Sequence, residues 1–420
     1  MIYENKTKGI QFIDLSSEGV TAEASSTAIS LFSGAGGLDI GLEMAGFETK
    51  VCVENDLDCR ETLKHNRPSW TVLEDSTALS PASGLPRKAG DIRDISIEEI
   101  LNAGELEAGE VGLVVGGAPC QPFSNIGKKL GKNDERNGDL FLEFVRVVKG
   151  TMPKAFIFEN VVGITQSKHS DVIGYMVEKF EGLGYGISHT ILNAADYGVP
   201  QKRERFFLIG IKGETKPAFP LPTHFKDRKS FEQFYDSLCI QKPDAFRQWV
   251  SVDEAFGKIP EDSTQRGDCV AMNISDVVKN RMKLIGQGQN FKVLPNEMRP
   301  NCWKDGVGKH FGNDTFGRMV GDKPSLTIRT AAYNPTKGMY IHPYENRGLN
   351  TMELAALQSF PNEWVFRTSG KDRVTLASGG KQIGNAVPPL LGAALAKAIM
   401  AQLDFNEENP ERQPLQLANC

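Results

Sequence analysis

Residues 28–45 read AISLFSGAGGLDIGLEMA: a short apolar run, a turn holding Gly34, Gly36 and Gly37, then a stretch in which Leu38, Leu42 and Ala45 recur at helical spacing. Strand, glycine turn and helix in that order are the opening unit of a sheet whose ligand crevice lies beyond its strand ends. The alternation continues to about residue 210. KVCVE (50–54), WTVLE (70–74), VGLVV (111–115), AFIFE (155–159), ISHTIL (187–192) and RFFLIG (205–210) read as further strands. Helical stretches separate several of them, among them LFLEFVRVV (140–148) and SIEEIL, which a Ser96/Glu99 capping box opens. The Pro/Gly/Ser-rich STALSPASGLPRKAG (76–90) reads as a surface loop. Short β-branched and aromatic runs separated by helices predict an α/β fold, an open and mostly parallel sheet covered by helices on both faces.

From about 212 to 320 the periodicity fades into a Gly-, Pro- and Lys-containing mixture, which predicts a second, smaller domain. The expected organisation is a polar extension over 1–26, a first domain over 27–211, the second over 212–320 and a return to the first over 321–405. PPLLGAALAKAIMAQL (388–403) is apolar almost all round and is expected to be a buried helix; the polar stretch 406–420 is expected to be disordered.

A chain of 420 residues, 40% apolar and 24% charged, has ample material for a core. The first 26 residues carry Glu4, Asp14, Glu18 and Glu23 and no unbroken apolar stretch, so no secretory or transit signal is expected. No window is read as reaching the roughly 18 apolar residues a membrane span needs. The seven cysteines form no CxxC pair and none sits at metal-ligand spacing from a histidine. A cytoplasmic location, no membrane partner and no structural metal are therefore expected. The net charge is −5, but residues 1–110 hold 9 basic and 20 acidic side chains whereas 211–320 hold 17 and 14. A polyanion partner would bind a local face, so the total does not exclude one.

The unusual residues fall at the predicted strand ends. The turn is no dinucleotide fingerprint, because Asp39 stands where G-x-G-x-x-G needs glycine. Glu54, 18 residues beyond Gly36, stands where a ribose-hydroxyl acceptor falls, which suits a nucleoside cofactor without a pyrophosphate; a tight turn with a solvated glutamate is the plain alternative. Cys120 lies between Pro119 and Pro122, which force the flanking chain out of helical geometry and present the thiol on a stiff loop; a small buried hydrophobe is the ordinary role of such a cysteine. The following GKKLGKNDERNG (127–138) reads either as a solvated loop or as a lid over an anion. Glu159 emerges from four apolar residues into the crevice, where burial should raise its pKa, unless a basic neighbour holds it. In QKRERFFLIG the strand period puts Arg203, Arg205 and Phe207 on one face, so two guanidinium groups could converge on one target; a charged strand end facing water is the alternative.

Taken in order, LFSGAGGLDIGLEMAGF, VENDLDC, GDIRD, GGAPCQPFSNIGKK, FIFENVVGI, QKRERFFLIG, NRGLNTMELAALQSFP and IGNAVPP resemble the motifs of the DNA cytosine-5 methyltransferases of prokaryotic restriction-modification type, from about residue 28 to 405. The resemblance implies a Rossmann-like S-adenosylmethionine-dependent methyltransferase sheet and a smaller target-recognition domain. It implies Cys120 as the nucleophile on C6 of a flipped cytosine, Glu159 as the group holding N3 and the exocyclic amine, and Arg205, with Arg203 close by, at the base's O2. Phe32, Gly34, Ala35, Gly36 and Gly37 match the cofactor turn, Glu54 the ribose acceptor and Asp91 the acid that reads the adenine amine, with Asp75 as a competitor. Pro119 and Asn385 match further cofactor positions, and Gln121 and Ser124 positions that touch the flipped nucleotide. No metal is implied. Double-stranded DNA is the implied partner, with a cognate restriction endonuclease encoded nearby and the protein itself a monomer. An RNA methyltransferase would share the catalytic set, a cytosine-binding module would be expected to lack the thiol or Glu159, and Asp39 argues against a nicotinamide oxidoreductase.

Overall fold

The β-branched and aromatic runs do form strands in the computed structural model of the chain, which describes residues 10–15, 26–74, 88–118, 140–165, 170–213, 216–304, 314–407 and 417–419. In chain order these are β1 (Gln11–Ile13), β2 (Ser26–Leu31), β3 (Phe47–Val53), β4 (Thr71–Leu73), β5 (Leu113–Gly116), β6 (Ala155–Val161), β7 (Tyr185–Asn193), β8 (Glu204–Lys212), β9 (Phe219–Pro220) and β10 (Leu417–Asn419). Seven of them make one sheet in the order β4-β3-β2-β5-β6-β8-β7. Strands β2 to β6 run parallel; β8 is antiparallel to both β6 and β7. The chain winds outward one way from β2 and the other way from β5, so the sheet's switch point lies between these two neighbours.

The period of two in each strand sorts side chains between two cores. Leu113, Val115, Ala155, Ile157, Phe207 and Ile209 face one side, where Leu391, Leu395 and Ile399 of the helix Pro389–Glu407 cover them. Val114, Phe156, Phe158, Phe206 and Leu208 face the other, against Phe141 and Phe144 of the helix Leu140–Thr151 and Met176 and Phe180 of the helix Ser170–Glu181. The predicted helix after the glycine turn runs Gly37–Met44. Its Gly41 permits close packing on the C-terminal helix: a Cβ there would sit 2.6 Å from the Ala393 amide nitrogen. The Ser96/Glu99 capping box is present at the helix Ile97–Gly104.

Inside the stretch expected to form the second region, FEQFYDSL forms the helix Arg228–Leu238, whose Phe231, Phe234, Tyr235 and Leu238 make one apolar stripe on the first core. Each such side chain removed from water contributes about 1.5–3 kcal/mol, enough to draw this segment onto the sheet. A separate small core consists of Ile274, Met282, Ile285, Phe291, Leu294 and Phe316 together with Ile341, which lies beyond the expected limit at 320. Arg318 ties that core together from within. Its guanidinium donates to the carbonyls of Ile285, His342, Glu345 and Met282 and to Asn346 Oδ1, over 2.6–2.8 Å. At the termini, Leu417–Asn419 pairs antiparallel with Gln11–Ile13, where disorder and a plain polar extension were expected. Contrary to the sequence expectation, Leu376–Leu403 is long and apolar enough by composition to cross a membrane. It comprises two helices separated by Ala386, Val387 and Pro388, and 83% of its most apolar window is buried inside the protein.

Candidate active site

The glycine turn leaves β2 through backbone that favours glycine. Gly34 has φ +56° and Gly36 φ +82°, and Phe32 adopts φ 55° despite its side chain. These glycines differ in what they leave room for. A Cβ on Gly36 would lie 2.9 Å from Leu63, and one on Gly37 2.3 Å from the Val387 carbonyl, so both serve close packing; one on Gly34 would meet nothing within 4 Å among the described residues. Gly34 therefore borders open space. Ala35 is buried beneath the turn.

Glu54, just past the end of β3, is buried and fixed by the amides of Gly34 and Asp56, each donating to its carboxylate at 2.7 Å. Burial raises its pKa, and those two amides oppose the rise. Gly90 explains how Asp91 reaches the same place across the intervening loop: at φ +69° its missing Cβ would lie 1.9 Å from the Glu54 carbonyl oxygen. Arg60 ties this junction by donating from Nη1 to the carbonyls of Glu54 and Ala89 at 3.0 and 3.2 Å. Asp91 is buried, and its carboxylate accepts from the backbone, Nε and Nη2 of Arg93. Burial pushes its pKa up, but the Arg93 contacts outweigh that and hold it below the usual range. Its rival Asp75 lies outside the described residues.

On the other side of the switch point, Glu159 on β6 pairs with Arg205 on β8, Oε1 to Nε at 3.0 Å. Burial raises the Glu159 pKa, and the charges of Arg205 and Arg203 hold back part of the rise. A Cβ on Gly117 would lie 2.7 Å from Glu159 Oε2, so the carboxylate rests on the chain leaving β5. Asn160 Nδ2 donates to the Ala118 carbonyl at 3.2 Å, anchoring that chain two residues before Cys120. Pro119, Cys120, Gln121, Ser124 and the stretch 127–138 lie outside the described residues. Among the described cysteines, Cys52 and Cys59 are buried and burial raises their thiols well above the usual value, the opposite of what a nucleophile needs.

Arg203 departs from the sequence expectation. It precedes β8 instead of belonging to it, so strand alternation does not govern it, and it does not converge with Arg205 on a common external target. It is 1% exposed and donates to the carbonyls of Ile328 and Gly384 at 3.0 and 2.9 Å. Burial and Arg205 work against its charge, and Glu159 favours it. Arg203 is thus a strut joining β8 to the returning chain. Two residues absent from the sequence reading complete this strut: Gln201 donates to the Leu357 carbonyl and accepts from the Ile328 amide, and Gln358 donates to the carbonyls of Ile383 and Ala386. Their occurrence inside QKRER and ALQSFP, beside motif residues, is the signal that could have found them. Asn385 is exposed at the end of the helix Leu376–Asn385, two residues before the Val387 carbonyl that abuts Gly37.

Asp39, used above only against a dinucleotide, is fully buried, and desolvation pushes its pKa up from 3.8 to about 7, with the neighbouring Ser30 side chain opposing. Unfolded, it loses its proton near the ordinary value; folded, it keeps the proton to about pH 7. Stability therefore falls as pH rises through that interval. Asp39→Asn should gain more in thermal midpoint over the wild type at pH 8 than at pH 5, and equal gains at both would show a carboxylate ionised throughout.

A doubly wound sheet with an antiparallel seventh strand, carrying a glycine turn backed by a buried acid and, beyond the switch point, a Glu–Arg pair, is a Rossmann-like methyltransferase fold. The chain belongs to the C-5 cytosine-specific DNA methylase family, whose sequence profile matches residues 26–401. It is 32% identical over 399 residues to the type II methyltransferase M.PspPI of Psychrobacter sp., covering 92% of this chain and 81% of that one. It is 33% identical over 387 residues to M1.HphI of Haemophilus parahaemolyticus, covering 91% and 88%. The fold is similar to that of the S. pombe Dnmt2 methyltransferase, with a TM-score of 0.54 at 16% identity over 90% of this chain and all of that one. The protein is a DNA (cytosine-5) methyltransferase.

Proposed function

We propose that the chain methylates C5 of a flipped cytosine within a specific double-stranded DNA sequence through a covalent bond between Cys120 and C6. The observation that carries this reading is the Glu159 carboxylate, paired with Arg205 and resting on Gly117, three residues before the thiol. Glu159 then holds the cytosine's N3 and exocyclic amine and neutralises charge that builds on N3 as the Cys120 thiolate adds to C6. Arg205 holds O2. Arg203, buried behind it, is a positioning residue. Addition makes C5 an enamine carbon; C5 takes the methyl group, loses its proton, and the thiolate leaves to restore the aromatic ring.

S-adenosylmethionine fits the residues present. The open space beside Gly34 accommodates a close-lying ligand, and the Glu54 carboxylate is fixed for a ribose hydroxyl. When bound, this cofactor supplies the electrophilic methyl group. Phe32, Gly34 to Gly37, Pro119 and Asn385 line its place, and Asp91 turns from Arg93 toward the adenine amine. The small core around Phe291 is the centre of the target-recognition region, and Gln121 and Ser124 touch the flipped nucleotide. The reading includes a monomer in a bacterial cytoplasm and a cognate endonuclease, the latter supported by the type II methyltransferase names of the relatives.

Incubation with S-adenosylmethionine and duplex DNA synthesised with 5-fluorocytosine tests the covalent step. Fluorine at C5 blocks the final elimination, so a denaturation-resistant complex should accumulate and require Cys120. Methylation of ordinary DNA without any such trapping would remove the adduct from the mechanism.

A further inference from the structure

The segment 325–330 is fixed from three sides. The Lys202 amide donates to the Ser325 carbonyl at 2.8 Å, Thr327 Oγ1 to the Lys202 carbonyl at 2.9 Å, and the Ile328 amide to Gln201 Oε1 at 2.9 Å. Tyr340 donates its hydroxyl to the Thr327 carbonyl at 2.8 Å and accepts from the Arg329 amide at 3.3 Å. Gly384 closes the third side, where a Cβ would lie 2.5 Å from the Arg329 carbonyl carbon. The backbone of Arg329 is therefore immobilised, yet its side chain is 56% exposed and ion-paired with Asp314. Its neighbourhood is the crevice mouth: Arg203, which grips Ile328, is within electrostatic reach of Glu159 and Arg205, and Asn385 follows Gly384. Exposed Lys202 and Leu326, the latter 42% exposed, flank it.

A guanidinium held on rigid backbone presents a fork that fits carboxylate and phosphate equally well. An exposed ion pair binds its members only weakly, so a denser array of phosphates can take the arginine from Asp314. Resting on the DNA-methyltransferase reading above, we propose that Arg329 grips a backbone phosphate beside the flipped nucleotide, with Asp314 as its placeholder in the free enzyme. Asp314 thus sets a threshold against weakly held, non-productive DNA.

The test is steady-state methylation of a plasmid prepared without host methylation, with the KM for DNA followed from about 50 to about 200 mM salt. Arg329→Gln should raise that KM roughly ten-fold and reduce the slope of log KM against log salt by about one, the signature of one lost phosphate contact. The loss should fall on KM for DNA and spare the affinity for S-adenosylmethionine. Asp314→Asn should act in the opposite direction, lowering KM several-fold, and the double variant should follow Arg329→Gln. A slope unchanged in Arg329→Gln, or a KM raised by Asp314→Asn, overturns the assignment. A wild-type protein that methylates no DNA at any salt overturns instead the reading on which it rests.

Discussion

Cys120→Ser is expected to lower methyl transfer by at least about 10⁴-fold while leaving S-adenosylmethionine affinity within about two-fold of the wild type. A serine hydroxyl is not ionised near neutral pH and adds poorly to a pyrimidine, so the enamine that takes the methyl group does not form. On the proposed reading most of the cofactor's contacts come from the glycine turn and Glu54, across the switch point from β5, and the substitution changes none of these residues. Tritium transfer to DNA alongside calorimetric titration of the cofactor measures both halves. Retained transfer would remove Cys120 from the nucleophile's role; joint loss of transfer and cofactor binding would point to a structural one.

Glu159→Gln is expected to cost about 10²–10⁴-fold in kcat. The amide preserves shape and one hydrogen bond but supplies neither the proton nor the charge that N3 requires. Its pH profile carries more information than its magnitude. Burial raises the Glu159 pKa and the two arginines restrain it, so the wild type holds the proton to higher pH than an ordinary glutamate. Activity that uses the protonated acid declines as pH rises through that raised value, and the glutamine variant should lack this decline. A variant retaining the same alkaline limb would assign the limb to another group. Because the substitution also leaves Arg205 without its partner, a thermal midpoint measured beside the kinetics separates catalytic loss from unfolding.

Much of this was legible in the sequence because strands and glycine turns leave local signatures. All seven strands of the main sheet coincide with short apolar runs, and Glu54 and Asp91 fall at a strand end or against one, whereas Glu159, expected to close its strand, lies inside β6, which pairs with β8 as far as Val161. What escaped was long-range or polar. The stripe of Phe231, Phe234, Tyr235 and Leu238 has helical spacing, but Asp227, Lys229 and Asp236 around it obscured the pattern. Arg203 was assigned to a strand face because alternation was extended one residue past the point where β8 begins. Gln201 and Gln358 form part of a polar interior, which hydrophobic periodicity cannot register. Gly90, beside Asp91, meets the Glu54 carbonyl, a contact between distant chain segments with no local trace.

The packing of the helix Gly37–Met44 on the helix Pro389–Glu407 has a temporal side. The first emerges from the ribosome well before its partner. At about 5–20 residues per second, roughly 350 residues of synthesis separate them by tens of seconds. Throughout that delay Gly37 and Gly41 have no backbone to pack against, and Arg203 waits for Gly384. A chain that stops short of Val387 therefore leaves the glycine turn without the backbone against which it is packed.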